Sequence, residues 1–592
     1  MRILPSKRGL ALTATAAVVG LTALDALRSR SQVDALPTLT DGSPAEGSWS
    51  ALSATGVDVS PEVRTAAATF AEANGLDLVD LVPAGLAATF ASDLAHAPLA
   101  GAGVAIVVRS ELLDRAGIEP GVLAAGELAA ARRTLSGYTD HAGSAKADLE
   151  APSRSLADRR DHLEGGNSSL ARSAATSVAA LVALVGSAIV APLIGLLGLV
   201  AYAATGLLRG ESPQSTLGRL LHAPLTWLEI RRLPQSAASI RRDEEVAEAR
   251  AWYSAELDKG VERFLEPRQT ECPWCTSAAI APYLQSKDIR QAKPGLFTLD
   301  KCADCRHIFQ NPRLTLDGLE FYYKDAYDGL AEAQADINFT YLSPIYRRRA
   351  ETIRTERPDV PRRWLDIGTG GGHFCHIAHE VFPDTSFDGL DMSTGVLEGQ
   401  RRGWLDTAYH GMLIDREDDI AGQYDQVSLY HYLEHTREPL AELDAAVKAL
   451  SPDGWLLIEQ PDPEAVVARL FRSWWAGWLQ PEHLHMVNAD NVCKALEDRG
   501  LEIVKVLRRE AHMPVEGFIL VTTLLRKVAP DPDLPWRTEK YPTLARIRRI
   551  AGLAVIGPLL IFVPLIDRVI IPKLLKSSHA YRILARRPQI TA

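Results

Sequence analysis

Between positions 362 and 460 the pattern of hydrophobic and polar residues alternates short apolar runs with helical stretches. Four runs of strand length lie in this region, at 364–367, 387–391, 424–430 and 455–459. The helical stretch Pro439–Leu450 separates the last two, and a Ser-Pro-Asp-Gly turn follows it. This alternation predicts an α/β domain built on a doubly wound, mostly parallel sheet.

The longest apolar run is Ser173–Leu208, which is 36 residues without a charge between Arg172 and Arg209. A membrane-spanning helix needs about 20 apolar residues, so the run is long enough for one long span. Pro192 and Gly195 near its middle also suit a re-entrant hairpin, and an alanine-rich pair of soluble helices is the remaining alternative. We expect a membrane segment here, with the basic residues that follow it on the cytoplasmic side.

Two further apolar runs lie near the ends of the chain. Gly9–Leu24 follows Lys7 and Arg8, an arrangement shared by signal peptides, uncleaved anchors and amphipathic helices. Ile550–Ile566 carries two prolines and is followed by a basic tail. This run is expected either to lie on an anionic membrane surface or to pack as a helix on the preceding domain.

The 592 residues should form several domains, because one hydrophobic core rarely serves more than about 300 residues. The expected divisions are an apolar N-terminal segment (1–30), an alanine-rich domain (31–170), the membrane segment (173–208), a charged helical linker (209–265), a cysteine-containing module (266–320), the α/β domain (321–530) and an apolar and basic C-terminal segment (531–592). The alanine-rich domain contains no catalytic constellation that the sequence reveals. The net charge of −10 argues against a nucleic-acid partner.

A glycine-rich loop follows the first strand-like run. Trp364 to His373 reads W-L-D-I-G-T-G-G-G-H, so Asp366 ends a strand and alternating glycines come after it. Glycines let the backbone turn tightly and approach a ligand closely, which is typical of a nucleotide-type cofactor site. The dinucleotide order G-x-G-x-x-G fails here, because position 373 is histidine.

A second acid, Asp391, ends the next strand-like run 25 residues after Asp366. The order of glycine loop, strand-end acid, Glu-His pair, helix, P-x-G turn and strand resembles the class I S-adenosylmethionine (SAM)-dependent methyltransferases over residues 362–523. The resemblance implies a Rossmann-like sheet and SAM as cofactor. It also implies these cofactor contacts: Asp366, Gly368, Gly370 and Gly372 at the methionine part, Asp391 at the ribose, Met392 beside the adenine, and Asp415 as a weaker candidate at the adenine edge.

Four of the six cysteines form two C-x2-C pairs, Cys272 with Cys275 and Cys302 with Cys305, and 26 residues separate the pairs. Two such turns can close a tetrahedral four-sulfur site, which would hold a structural Zn²⁺ because no coordination position stays open. A redox pair or two disulfides are the alternatives. A zinc ribbon that ends in an N-P-R turn at 311–313 resembles bacterial methyltransferases with an N-terminal zinc-binding module.

The catalytic candidates are His431, Glu434 and His435, which follow the strand-like run 424–430. In the methyltransferases that this region resembles, this position faces the acceptor. A histidine has an unperturbed pKa of about 6.5, so it can accept a proton at neutral pH. The spacing H-x-x-E-H also matches an inverted zinc-protease signature, which the surrounding strand order excludes. A bound divalent cation and a purely structural role for the histidines stay open.

Three tryptophans, Trp474, Trp475 and Trp478, precede the segment 481–486, which resembles a substrate-side loop. They are expected either to line an acceptor pocket or to form a hydrophobic surface against the membrane or the zinc ribbon. The sequence leaves both alternatives open.

Together these features predict a membrane-associated, SAM-dependent methyltransferase. Its acceptor would be a small molecule, a sugar or a lipid-linked compound, methylated at oxygen in preference to carbon. Because SAM is cytosolic and paired thiols suit a reducing compartment, the catalytic domain is expected to face the cytoplasm. The rival hypothesis is a SAM-binding scaffold without turnover. A zinc-ribbon-guided protein or RNA methyltransferase is disfavoured by the acidic charge balance.

Overall fold

The computed structural model describes residues 35–40, 48–84, 104–139, 141–150, 237–325, 332–508, 516–537, 541–556, 563–575 and 578–588, together with isolated positions and short stretches elsewhere. The chain forms two compact units, Met1–Glu244 and Glu245–Ala592. Most of Gly9–Leu24 and of Ser173–Leu208 lies outside the described residues, so both expectations stay predictions. Within the described ranges, no helix is long and apolar enough to cross a membrane.

The N-terminal unit contains a mixed five-stranded sheet. Its strands are β1 (Trp49–Ala54), β2 (Leu78–Pro83), β3 (Ala105–Arg109), β4 (Gly121–Leu123) and β5 (Ala142–Ala147), in the order β4-β1-β3-β2-β5. β3 pairs antiparallel with β1 and β2, while β4 and β5 add in parallel at the edges. Among the described residues of this unit, three helices accompany the sheet: α1 (Pro61–Ala73), α2 (Ser110–Ala116) and α3 (Ala125–Leu135).

The central strands of this sheet are apolar because they are covered on both faces. β2 is buried along its whole length, and β3 is buried except at its last residue. The one charged side chain in β2, Asp80, accepts hydrogen bonds from Arg132 Nε of α3 at 3.0 and 2.9 Å. Pairing offsets part of the desolvation cost of both groups and orients α3 on the sheet.

The cysteine module, or ribbon, is a small antiparallel sheet that follows helix α4 (Ala237–Asp258). Its strands are β6 (Ile280–Ser286), β7 (Phe297–Cys302), β8 (Ile308–Gln310) and β14 (His485–Met486), in the order β14-β8-β7-β6. β14 belongs to the substrate-side loop and pairs with β8 through His485 opposite Phe309. The boundaries expected for a separate module at 266–320 therefore miss one of its strands, because that strand comes from far along the chain.

The C-terminal unit is built on a seven-stranded sheet. Its strands are β9 (Arg363–Ile367), β10 (Ser386–Asp391), β11 (Thr407–His410), β12 (Tyr424–Tyr430), β13 (Leu450–Pro461), β15 (Glu502–Leu507) and β16 (Ala580–Arg586), in the order β11-β10-β9-β12-β13-β16-β15. β9 to β13 are parallel, and β16 is antiparallel to both of its neighbours. Strand order reverses at β9, and open α/β sheets bind ligands at such a switch point. The α/β prediction is confirmed.

Helices pack on both faces of this sheet. They are α6 (Glu332–Glu356), α7 (His373–His379), α8 (Gly395–Arg401), α9 (Leu413–Ile420), α10 (Pro439–Ala449) and α12 (Ala489–Glu497). Two more helices, α5 (Leu316–Tyr323) and α11 (Val466–Phe471), pack against the cysteine module instead. Neighbouring residues of β9 point to opposite faces, so Trp364 joins one buried cluster with Phe374 and Leu365 joins another with Leu443.

The last strand of the sheet lies far beyond the domain boundary expected near residue 530. β16 is buried except at its last residue and lies between β13 and β15. Its sequence, A-Y-R-I-L-A-R, contains two arginines, a pattern that predicts a basic C-terminal segment. Arg582 is tolerated inside the sheet because Glu459 lies directly opposite it on β13 and accepts its hydrogen bonds.

The segment between β15 and β16 adds helices α13 (Glu516–Val528), α14 (Pro542–Ile556) and α15 (Val563–Leu565), followed by a π-helical segment (Ile566–Leu574). α14 packs on α13, as one of the two expectations for Ile550–Ile566 required. The opposite face of α14 is exposed, so the membrane contact of the other expectation stays a prediction.

Candidate functional site

The glycine-rich loop connects β9 to α7 at the carboxyl edge of the sheet. Gly368, Gly370 and Gly372 have φ values of +74°, +57° and +79°. This left-handed conformation is strained in residues with a Cβ. A Cβ at Gly370 would meet no atom within 4 Å. The space beside Gly370 is therefore open, and a ligand can approach the loop backbone there.

Asp391 ends β10 beside this loop. Its Oδ2 accepts a hydrogen bond from the Gly370 N–H and its Oδ1 accepts one from the Ser393 N–H, both at 2.8 Å. Each carboxylate oxygen keeps a second lone pair, so Asp391 can hold the loop and still accept bonds from ligand hydroxyls. Met392 is 68% exposed and offers an apolar surface to a flat ring.

Asp366 is buried beneath the glycine loop. The Ser428 hydroxyl of β12 donates to its Oδ1 at 2.6 Å, and the Trp364 indole N–H donates to that hydroxyl at 2.8 Å. Burial raises the pKa of Asp366 to about 7, against the lowering by hydrogen bonds from Ser428 and Thr369. Asp366 therefore supports the loop from the sheet interior, and a direct contact with the cofactor stays a prediction.

Asp415 lies on the exposed first turn of α9, beyond the end of β11, and its contact with the adenine edge stays a prediction. A buried acid in the same region is Glu442 of α10, which accepts a hydrogen bond from the Tyr432 hydroxyl at 2.9 Å. Burial raises the pKa of Glu442 to about 7. The Tyr432 ring lies against Gly368, so this pair borders the loop, and the sequence pattern did not point to it.

His431 follows β12 with a φ of +53°, which is strained for a residue with a side chain. Its Nδ1 lies 3.0 Å from Glu434 Oε1, and its Nε2 lies 3.5 Å from Glu459 Oε1. Burial alone would lower the pKa of His431, but the hydrogen bonds and charges of both carboxylates raise it to about 9. His431 is therefore an imidazolium between two acids at neutral pH, which does not suit the proton-accepting role expected of it.

Glu459 is fully buried at the end of β13 and has two arginine partners. Arg349 of α6 donates to its Oε1 at 2.6 and 3.0 Å, and Arg582 of β16 donates to its Oε2 from Nε at 2.8 Å. Sequence reasoning missed this network, because its members are 110 and 123 residues apart. An acid inside an otherwise apolar strand was the available signal.

His435 is the last residue of a 3₁₀ turn, Leu433–His435, which begins two residues after His431. Its Nδ1 is 2.6 Å from the Tyr323 hydroxyl and 3.1 Å from the Glu482 carbonyl oxygen. Burial lowers the pKa of His435, so the ring is neutral at neutral pH. Among the described residues, the hydrogen bonds of this imidazole involve Nδ1, which leaves Nε2 for proton transfer.

His483 adds a second imidazole to the site. Its Nδ1 donates to the Gly477 carbonyl oxygen at 2.7 Å, and its ring lies 4.6 Å from that of His435. One ligand atom each from Glu434, His435 and His483 lie within 4.8 Å of one another. Two imidazole nitrogens and a carboxylate oxygen can also bind a divalent cation, so the cation that the sequence left open has a matching ligand set.

Two of the three tryptophans pack on the ribbon, as one of the two expectations required, and the acceptor pocket of the other expectation stays a prediction. Trp475 and Trp478 are buried and pack edge to face at 4.9 Å, in a cluster that includes Leu299 of the ribbon. Trp474 is partly exposed under the Lys527 ammonium group, which lies 3.4 Å from the ring centroid. Trp474 also borders a cavity of about 420 Å³. The buried pair is therefore packing, and Trp474 is the member that a ligand can reach.

The four paired cysteines converge at one end of the ribbon. The Sγ atoms of Cys272 and Cys305 are 3.6 Å apart, as are those of Cys275 and Cys302. A disulfide would need about 2.05 Å, whereas thiolates about 2.3 Å from a tetrahedral metal ion lie about 3.8 Å apart. The geometry fits a four-thiolate metal site and does not fit the two disulfides.

The second cysteine pair is tied to the start of α12, which directly follows the substrate-side loop. The Cys305 carbonyl oxygen accepts hydrogen bonds from the side-chain amides of Asn488 and Asn491, at 3.0 and 2.9 Å. The imidazoles of His307 and His485 stack at 5.2 Å and approach to 3.3 Å between nitrogens. Disorder of the cysteine cluster would therefore reach the loop that carries the second imidazole of the site.

Comparison with known families agrees with this geometry. Residues 338–506 match the model of a family described as a methyltransferase domain. The matched range contains β9 to β13, the glycine loop and the segment from His431 to His435. The C-terminal unit thus contains a class I SAM-dependent methyltransferase domain.

Several curated relatives are ubiquinone biosynthesis O-methyltransferases. The protein of Hydrogenovibrio crunogenus is 32% identical over 125 residues, which cover 20% of this chain and 50% of the relative. That of Bordetella avium is 24% identical over 205 residues, covering 32% of this chain and 83% of the relative. The chain spans about half the length of the first curated relatives it matches.

Solved structures show the same kind of partial match. A SAM-dependent methyltransferase from Archaeoglobus fulgidus aligns with 17% identity and a TM-score of 0.27, covering 42% of this chain and 99% of that one. The structure of the [4+2]-cyclase SpnF aligns with 16% identity and a TM-score of 0.27, covering 41% and 80%.

Proposed function

We propose that this chain transfers the methyl group of SAM to an oxygen atom of a small-molecule acceptor. The observation that carries this proposal is the neutral, partly buried imidazole of His435, hydrogen-bonded to Tyr323 beyond the carboxyl end of β12. SAM supplies a methyl group on a sulfonium, which leaves as a neutral thioether. The protein therefore has to align donor and acceptor and to remove one proton.

The residues that would hold SAM surround the glycine loop. The open space at Gly370 admits close backbone approach, and Asp391 has lone pairs for two hydroxyls. The exposed side chain of Met392 would cover one face of the adenine. These three features support SAM as the cofactor of this site.

His435 would act as the general base. The hydroxyl proton of the acceptor would pass to the Nε2 of His435 as the acceptor oxygen takes the methyl group that SAM would supply. The charge of Glu434 favours the imidazolium that forms, and Tyr323 holds the ring through Nδ1. Solvent takes up the proton after product release, so His435 is neutral again for the next turnover.

Oxygen as the methylated atom is supported by the relatives that are named O-methyltransferases. The acceptor class proposed is a hydroxylated small molecule, free, sugar-containing or lipid-linked. The test is mass spectrometry of SAM-dependent products with the full chain and a panel of such hydroxylated compounds. Binding of SAM without S-adenosylhomocysteine release on any acceptor would favour the scaffold alternative.

We also propose that the cysteine cluster holds one structural Zn²⁺. The support is a cluster of four sulfur atoms that lie within 4.8 Å of one another, a ligand set that can close a tetrahedral site. Zinc in this place would hold the ribbon strands together and take no part in methyl transfer.

The membrane association and cytoplasmic orientation of the catalytic unit are part of the same proposal. They rest on the uncharged run Ser173–Leu208 and on the basic residues that follow it. Carbonate extraction of membranes that contain the full chain tests them, because a peripheral protein is released and a spanning one is not.

A further inference from the structure

The outward face of helix α14 is apolar. Leu544, Ile547 and Val555 are 63%, 57% and 76% exposed and lie on one side of the helix, at positions i, i+3 and i+11. Ile550, on the adjoining side, is 67% exposed. Single exposed aliphatic residues are ordinary on a protein surface, but a stripe of them along one helix marks an interaction surface.

The opposite face of α14 is fixed to α13, so the apolar stripe cannot turn inward. A Cβ at Gly552 would lie 2.3 Å from the Cβ of Ala529, which means that only glycine permits this close approach. Arg548 Nε donates to the Val528 carbonyl oxygen at 2.5 Å, and Arg549 donates to that of Ala529 at 2.8 Å. These bonds satisfy carbonyl groups at the end of α13 and set the rotation of α14.

The charges on α14 are all positive. The stretch 541–556 has three arginines and no acidic residue, although the whole chain has a net charge of −10. Arg546 pairs with Asp533 at 2.8 Å, but both side chains are 63% exposed, and such pairs contribute little in water. Arg546 and Arg548 lie on either side of the apolar stripe, where they can reach anionic groups beside it.

We propose that α14 lies on the surface of an anionic phospholipid bilayer. Leu544, Ile547 and Val555 would enter the boundary between headgroups and acyl chains, with Arg546 and Arg548 at the lipid phosphates. The arginines of α14 favour an anionic bilayer as the partner of this face. A second copy of the same face would instead bring arginines close to arginines. The contact is separate from methyl transfer and does not depend on it.

Hydrogen exchange of the full chain, measured by mass spectrometry, tests this contact locally. With vesicles of phosphatidylcholine and phosphatidylglycerol, exchange at 542–556 should slow, and this protection should fall in high salt and with phosphatidylcholine alone. Unchanged exchange at 542–556 would overturn the proposal. Slowing that follows protein concentration without vesicles would overturn it too, because it would identify a second copy as the occupant.

Paired substitutions supply the control. Leu544→Glu with Ile547→Glu should abolish vesicle-dependent protection of α14, whereas Val360→Glu, at a valine 60% exposed before β9, should retain it. Circular dichroism and SAM binding should be unchanged in both. If the chain pellets with vesicles while 542–556 stays unprotected, another segment binds the membrane and the assignment to α14 is wrong.

Discussion

The Tyr323 hydroxyl and His435 Nδ1 are 2.6 Å apart, although 112 residues separate them in sequence. Tyr323 ends α5, which follows the cysteine ribbon and lies outside the matched methyltransferase domain. A residue that follows the cysteine module therefore contacts the imidazole that we propose as the proton acceptor. A methyltransferase domain cut at residue 338 would lack this contact.

Replacing His435 should slow methyl transfer without weakening SAM binding. His435→Gln removes the base, and general-base catalysis contributes roughly 10²–10⁴-fold, so kcat should fall by about that factor. Because burial lowers the pKa of His435, the wild-type rate should fall with decreasing pH only below the usual histidine range, as the base becomes protonated. The rate–pH profile and SAM titration calorimetry measure both effects.

Tyr323→Phe is the matched variant for the hydrogen bond. It keeps the ring and removes the hydroxyl, so kcat should fall by roughly tenfold, the cost of about one hydrogen bond. An unchanged kcat in Tyr323→Phe would show that the contact does not position the base.

Cofactor affinity should depend on Asp391 and Gly370. Asp391→Ala removes charged acceptors worth about 1.5–3 kcal/mol, so the Kd for SAM should rise roughly 10- to 100-fold. Gly370→Val adds a side chain at a positive φ in the open space and should also weaken binding. Asp418→Ala, at an exposed position on α9, is the control and should leave the Kd nearly unchanged; calorimetry that ranks Asp418 above Asp391 would contradict this site.

The cysteine cluster should contain one zinc per chain, measurable by elemental analysis. Cys302→Ser should lose the metal and increase hydrogen exchange at 268–313 and in the substrate-side loop at 481–486, because β14 pairs with β8. SAM binding should be largely retained, since the glycine loop lies elsewhere. A metal-free chain with wild-type exchange in both segments would contradict a structural role.

Removing the Glu459 side chain should lower the free energy of unfolding more than most single substitutions in this chain. Glu459→Ala leaves Arg349 and Arg582 buried without their acceptor, and breaking a buried ion pair costs roughly 3–5 kcal/mol. Glu502→Ala removes an exposed pair with Arg586 and should cost less than about 1 kcal/mol. Urea denaturation of both variants compares the two. Equal losses would mean that the buried network does not stabilise the sheet.

The His431 imidazolium should stabilise the fold in a pH-dependent way. Its pKa is raised to about 9 in the folded chain from about 6.5 unfolded, so its contribution is fully present below pH 6.5 and is lost as pH rises through 9. The difference in unfolding free energy between wild type and His431→Gln should therefore shrink between about pH 6 and pH 10. A difference that grows over this range would reverse the assigned charge state.

Local patterns were enough to predict the parts of the site that are close in sequence. The glycine loop and Asp391 follow from strand ends and turn chemistry, and the two C-x2-C pairs follow from a ligand spacing set within one turn. The α/β class followed from the alternation of apolar runs with helices. Each of these features is formed by residues that are close together along the chain, so the sequence pattern alone predicts it.

The tertiary structure alone decided which distant residues meet. Tyr323 reaches His435, and His483 comes from the loop that β8 holds in place. The sequence around Arg582 is typical of an exposed basic segment. Arg582 is nevertheless buried, because the fold places Glu459 opposite it. The charge state of His431 could not be predicted from the sequence for the same reason. The energy of each group depends on burial and on partners brought together by the fold, and neither is encoded in its neighbours along the chain.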